Sequence, residues 1–175
     1  PLRVLERRFL VASPQIEHSQ RGQWQEHTPP FYASCDLRIS GFKLAPVDPD
    51  FFPASWNNLT ESMLPLAVQA AMAAIEKICP EARNLLIVPD NNLRNTSYLS
   101  NLAQLRRVFH MAGLNVRIGS ISPDVKKATT IELPGGETIT LEPVVRTKGR
   151  LGVKNFDPCT ILLNTDLSAG VPGIL

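Results

Sequence analysis

A mostly parallel α/β sheet is the fold class this sequence predicts, and three features predict it. Asn84 to Val88 (NLLIV) is a short apolar run without alternation, which suits a strand buried on both faces. A helix follows, with Leu102, Leu105, Phe109 and Ala112 recurring at helical spacing as its inner stripe. Leu114, Val116 and Ile118 then alternate with Asn115, Arg117 and Gly119, giving a second strand with one polar face. Strand, helix and strand over 84–120 make a right-handed βαβ unit the simplest arrangement.

The joints of this unit are also readable. Pro89 stops the first strand, and Asp90-Asn91-Asn92 is turn composition. Thr96 or Ser97 is expected to cap the helix. Gly113 stands where a left-handed residue ends a helix, with Leu114 placed to pack back on Phe109.

Ahead of this unit, residues 2–11 read as a short helix with Leu2, Leu5, Phe9 and Leu10 on one side. Ser13-Pro14 is a cap followed by a first-turn proline, so a second helix is expected from Pro14 to about Glu26. Gly22 weakens that helix, Trp24 is expected to pack, and His18 and His27 have no partner at metal-ligand spacing. Residues 31–47 are strand-like. Ala33, Cys35, Leu37 and Ile39 form an expected core face, and Tyr32, Ser34, Asp36 and Arg38 a polar one. That polar face is either an exposed surface with a weak charge pair or the lining of a cleft for a charged small molecule.

Residues 48–56 are a proline-punctuated loop with three aromatics. Asn58 to Glu61 matches a capping box before a helix reaching about Ile78, with Leu64, Val68, Ala71, Ile75 and Ile78 inward. Pro65 either kinks that helix or marks its start. After the βαβ unit, Thr129 to Val144 is a hairpin. A three-residue loop, Gly135 to Glu137, keeps Leu133 and Ile139 on one face, and the hairpin projects from the sheet or extends its edge. Residues 146–154 (RTKGRLGVK) read as a basic solvated loop that could also clamp an anion. Pro158 to Asn164 is another buried strand, running into a second strand-end loop at Thr165 to Gly170.

Composition excludes several classes. The 175 residues allow one domain, or one with an appendage, and a sizeable core. With 43% apolar residues and a mean hydropathy of −0.03 the chain is ordinary for a globular protein. No apolar run is long enough to span a membrane, and no signal-peptide pattern begins the chain. A net charge of +2 argues for neither nucleic acid nor a membrane surface. Cys35, Cys79 and Cys159 lack CxxC spacing, so buried inert thiols in a reducing cytoplasm are expected. Neither GxxxxGK[ST] nor GxGxxG occurs. A start at Pro1 and an apolar end at Gly173-Ile174-Leu175 point to a piece of a longer protein.

Open α/β sheets bind ligands beyond the carboxyl ends of their strands. The loop from Pro89 to Ser97 holds that place, with Asn91, Asn92, Arg94, Asn95, Thr96 and Ser97. Arg94 offers a planar fork for carboxylate or phosphate beside a helix N-terminus. An ordinary capped turn carrying a surface arginine is the competing reading.

Five stretches carry a resemblance: YASCDLRISGFKLAPVDPDFFPASWNNL, LRNTSYLSNL, AGLNVRIGS, TTIELPGGETITLEP and LGVKNFDPCTILLNTDLSAGVP. In order from about Trp24 to Pro172, they resemble the amino-terminal part of the proteobacterial-type glutamate–cysteine ligases, or gamma-glutamylcysteine synthetases. Cys35 and Ser40 stand where other small or polar residues are expected. The resemblance implies an enzyme joining the γ-carboxyl of glutamate to the amine of cysteine through an acyl phosphate, with ATP and Mg2+. It implies a Rossmann-like domain over 31–175, after a helical segment over 1–30 and before an ATP-grasp-like part in the remainder of the chain. ATP and Mg2+ would bind mainly in that remainder.

On this resemblance, glutamate and cysteine are the substrates, and Arg94, Asn95 and Thr96 are the first candidates to hold them. Arg38, Lys43 and Asn58 come next, and Arg117 is a further candidate cation for a carboxylate. Asp36 could hold an ammonium, and Asn57 and Asn91 could donate and accept around it. No residue stands out as a general base. The alternative is a non-catalytic Rossmann-like module that binds a small anion. A nucleic-acid reader ranks last, because the aromatics cluster over 48–56, away from the basic loop.

Overall fold

The computed structural model describes residues 2–175 except Phe42, Ser168 and Ala169, with the side chain of Leu2 also outside the description. The chain forms two compact units, Pro1–Pro53 and Ala54–Leu175.

In the first unit, helix α1 runs unbroken over Leu2–Glu26, where two helices were expected. Pro14 lies inside it and removes one N–H from the ladder, and the turns on either side carry the helix through. Trp24, expected to pack, is 66% exposed. The single strand expected over 31–47 is a hairpin, β1 (Ser34–Ser40) against antiparallel β2 (Lys43–Asp50). Gly41, at φ +56°, opens the turn between them, a backbone setting that glycine adopts without strain. The expected core face is open: Cys35, Leu37 and Ile39 are all exposed. Two strands alone cannot bury a face that they both present to one side.

The second unit holds the predicted sheet. Strands β3 (Asn84–Pro89), β4 (Asn115–Ser120), β5 (Thr129–Glu132), β6 (Thr138–Pro143) and β9 (Thr160–Asn164) stand in the order β5-β6-β4-β3-β9. Every pairing is parallel except β5 with β6. This is a Rossmann-like, mostly parallel sheet with an added hairpin at its edge. Helix α3 (Thr96–Met111) links β3 to β4, and helix α2 (Leu64–Ile78) packs on α3.

The unalternated run of β3 has a simple cause. Leu85 and Ile87 enter a core with Leu99, Leu102, Leu105 and Phe109 of α3. Leu86 and Val88 enter a second core with Val144 and Val153 on the opposite face. Each such side chain contributes about 1.5–3 kcal/mol by leaving water. The second face is covered by a small hairpin, β7 (Val145–Thr147) with β8 (Arg150–Gly152), formed by residues expected to be a solvated loop. On β4 the expected polar face holds at Asn115, which is exposed, and Arg117, which is half-buried, while its far end is packed: a Cβ on Gly119 would stand 2.6 Å from Val144 Cγ2.

Other joints follow the sequence with small shifts. Leu114 N–H donates to the Phe109 carbonyl at 3.1 Å and Gly113 N–H to that of His110 at 3.0 Å, the expected left-handed helix ending. The hairpin loop is Pro134 to Gly136, one residue earlier than expected, because Leu133 N–H bonds the Glu137 carbonyl at 2.8 Å. Leu133 and Ile139 still share the buried face. Helix α2 starts at Leu64 with Pro65 in its first turn. Glu61 makes no capping box; its carboxylate pairs with Arg107 at 2.9 and 3.3 Å. Ile78, expected inward, is 64% exposed.

Candidate functional site

The carboxyl ends of β3 and β4 lie side by side, so the loops leaving them face each other. Between them opens a pocket of about 690 Å3. One wall is the β3–α3 loop, Asn91 to Arg94, and the other is Ser122 to Val125 after β4. Thr129, Ile131 and Leu141 of the edge hairpin line the rest. Pockets of this size suit small molecules.

Local hydrogen bonds hold both walls. Asn95 is the N-cap of α3, one residue before the expected Thr96 or Ser97. Its Oδ1 accepts the N–H groups of Ser97 at 3.0 Å and Tyr98 at 3.2 Å. This amide therefore holds the helix start and leaves the preceding loop free to face the pocket. Across the gap, Ser120 Oγ accepts the Ser122 N–H at 3.1 Å, and Ser122 Oγ accepts the Asp124 N–H at 3.3 Å.

On the other side of β3, where strand order reverses toward β9, a side chain bridges the two strand ends. Tyr98 Oη accepts the Asp90 N–H at 2.8 Å and donates to the Asn164 carbonyl at 3.2 Å. The parallel pairing of β3 and β9 sends both strand-end loops off from one edge, and Ser168 and Ala169 of the second loop lie outside the described residues.

Among the six leading candidates, Arg94 lines the pocket, and Asn95 and Thr96 follow it at the start of α3 without lining it. Asn58 sits in the 3-10 turn Trp56–Asn58, where the neighbouring Asn57 N–H donates to Asn101 Oδ1 of α3 at 3.1 Å. Arg38 and Lys43 belong to the β1–β2 hairpin of the first unit. Arg117 is committed elsewhere: it bonds Glu142 at 3.3 Å and the Lys154 carbonyl at 3.1 Å, and its guanidinium lies 4.9 Å from the Phe156 ring centroid. Asp124 and Ser122 were not singled out in the sequence. The signal was present, since a parallel βαβ unit puts the loops after both strands on one edge.

The cysteines differ from expectation. Cys35 and Cys159 are exposed, and Cys79 is half-buried. Cys159 sulfur accepts the N–H groups of Asn84 at 3.3 Å and Arg83 at 3.2 Å, which holds its thiol below the ordinary range, Asn84 contributing most. Among the described residues, no group of three or more His, Cys, Asp or Glu side chains converges as a metal site. None of the described helices is long and apolar enough to cross a membrane.

A mostly parallel open sheet with a pocket at its strand ends is an α/β domain with the architecture that places small ligands at strand-end loops. The chain belongs to the glutamate-cysteine ligase family, GshA, whose pattern matches residues 6–175. It is similar over its whole length to a solved structure from Methylobacillus flagellatus KT, provisionally named a gamma-glutamylcysteine synthetase. Identity is 56%, the TM-score is 0.88, and the chain spans 41% of that protein's chain. No curated protein matches it.

Proposed function

We propose that this chain forms part of an ATP-dependent ligase joining the γ-carboxyl of L-glutamate to the amine of L-cysteine, the first step of glutathione biosynthesis. The family match over residues 6–175 is the observation that carries this reading. ATP would supply activation of the γ-carboxyl, with Mg2+ at its phosphates. On the family reading, ATP and Mg2+ are assigned mainly to a following ATP-grasp-like part, after a helical segment over 1–30 and a Rossmann-like part over 31–175. A reducing cytoplasm that supplies ATP is the compartment such a reaction needs.

The role of this chain's own residues is positioning and charge. Arg94 is the leading carboxylate contact, because it lines the pocket and has no ion pair with a described residue. Asn95 and Thr96 set the loop that presents it. Arg38, Lys43 and Asn58 are further candidates for amino-acid contact.

The test is ADP release by the complete polypeptide, with glutamate, cysteine and Mg2+ omitted in turn. Release should require all three. Release indifferent to both amino acids would overturn the ligase reading, and no release from a folded polypeptide would overturn it in favour of a non-catalytic small-anion module.

A further inference from the structure

The pocket between the β3 and β4 loops carries one cation and one anion, on opposite walls. Arg94 stands on the first wall and Asp124 on the second. Both are exposed, they do not pair with each other, and neither has an ion pair with a described residue. Four other arginines of the same unit are in ion pairs, Arg106 with Glu137, Arg107 with Glu61, Arg117 with Glu142 and Arg150 with Asp157. Two unlike charges held apart across one concavity match a ligand that brings both charges itself. A free α-amino acid does so, with its carboxylate toward the guanidinium fork and its ammonium toward the Asp124 carboxylate.

The remaining lining decides the side chain. Val125, Ile131 and Leu141 are apolar, Asn91, Asn92, Ser122 and Thr129 are polar but uncharged, and no second cation lines the pocket. A dicarboxylic amino acid would find no second cation here for its other carboxylate. A short uncharged side chain, such as a thiol on one methylene, fits it.

We propose that this pocket takes a monocarboxylic α-amino acid by both its charged ends, Arg94 holding the carboxylate and Asp124 the ammonium. Resting on the ligase reading above, that amino acid is cysteine and not glutamate, and Asp124 takes the ammonium's proton as the freed amine attacks the γ-acyl phosphate of glutamate and phosphate leaves. The Asp124 assignment and the division between the two substrates follow from the charge count in the pocket.

The experiment uses the complete polypeptide and the variants Arg94→Ala and Asp124→Asn. Initial rates should show the KM for cysteine rising about 10- to 100-fold in each variant, as expected for loss of a charged hydrogen bond. The KM for glutamate should stay within about twofold, the size of a minor surface effect. A rise confined to glutamate, an equal rise for both, or no rise overturns the proposal. Calorimetric titration separates this from failure of the ligase reading. L-2-aminobutyrate, which keeps both charged ends and replaces the thiol with a methyl, should bind the parent and weaken in both variants. Its deaminated analogue butyrate should be sensitive to Arg94→Ala and indifferent to Asp124→Asn. If no ADP release occurs, these titrations alone decide. Absent aminobutyrate binding, or binding unchanged in both variants, overturns the pocket assignment.

Discussion

The two hairpin-bearing regions of this chain have similar sequence patterns and opposite fates. β1 and β5–β6 both alternate apolar with polar residues. In the second unit that alternation delivers Leu133, Ile139 and Leu141 into the core. In the first, Leu37 and Ile39 are 58% and 51% exposed, and Pro53 alone among the described residues of Pro1–Pro53 is buried. The difference lies in what stands on the apolar face. β6 joins β4 and thus a sheet already roofed by α3, whereas β1 pairs only with β2. Alternation says which face is apolar; it does not say that the face is covered.

Paired substitutions sharpen that contrast most. Ile87→Ala empties a site with no exposed surface, and should cost about 2–5 kcal/mol by the usual scale for buried aliphatics. Ile39→Ala removes the same side-chain type from an open face, and should change stability by less than about 0.5 kcal/mol. Urea denaturation of the two variants reads the difference directly. Equal losses would mean that the β1 face is covered by something not yet described. A smaller effect is expected at the joint between fold and pocket. Asn95→Ala removes the acceptor of two N–H groups at the start of α3 and should cost about 1 kcal/mol, with Asn95→Asp close to the parent. A melting temperature unchanged in Asn95→Ala would break the claim that this amide is chiefly structural.

These particulars show what the sequence could reveal. The unalternated NLLIV run, the Gly113-Leu114 helix ending and the parity of Leu133 with Ile139 rest on local physics, and all three hold. The misses are non-local. Nothing near Arg117 and Gly119 announces that Val144 will lie 2.6 Å from the place of a glycine Cβ. Nothing in RTKGRLGVK says that Leu151 and Val153 will roof the far face of β3. Local signals can also mislead: Ser13-Pro14 resembles a helix start, yet the helix passes through it. In the pocket, Arg94 was legible because its loop follows the most obvious strand. Asp124 was not, because its place depends on β4 lying beside β3 in register, a fact of topology.

The finest distinction is between kinds of charge. Arg94 and Asp124 are held apart, whereas Glu61 and Arg107 are joined at 2.9 Å. The Arg107 hydrogen bond, and then its charge, hold the Glu61 carboxyl below its ordinary value of 4.5. A carboxylate with a lowered folded pKa stabilises the fold fully above its unfolded value, and that contribution disappears as pH falls through the folded one. Glu61 lies at the surface, so solvent screening keeps the effect small. Melting temperatures of the parent and Glu61→Gln should therefore differ slightly at neutral pH and converge as pH falls below 4.5. High salt should shrink the neutral-pH gap. A gap that widened toward acid would reverse the sign of the coupling and show that this pair does not hold α3 to the segment before α2.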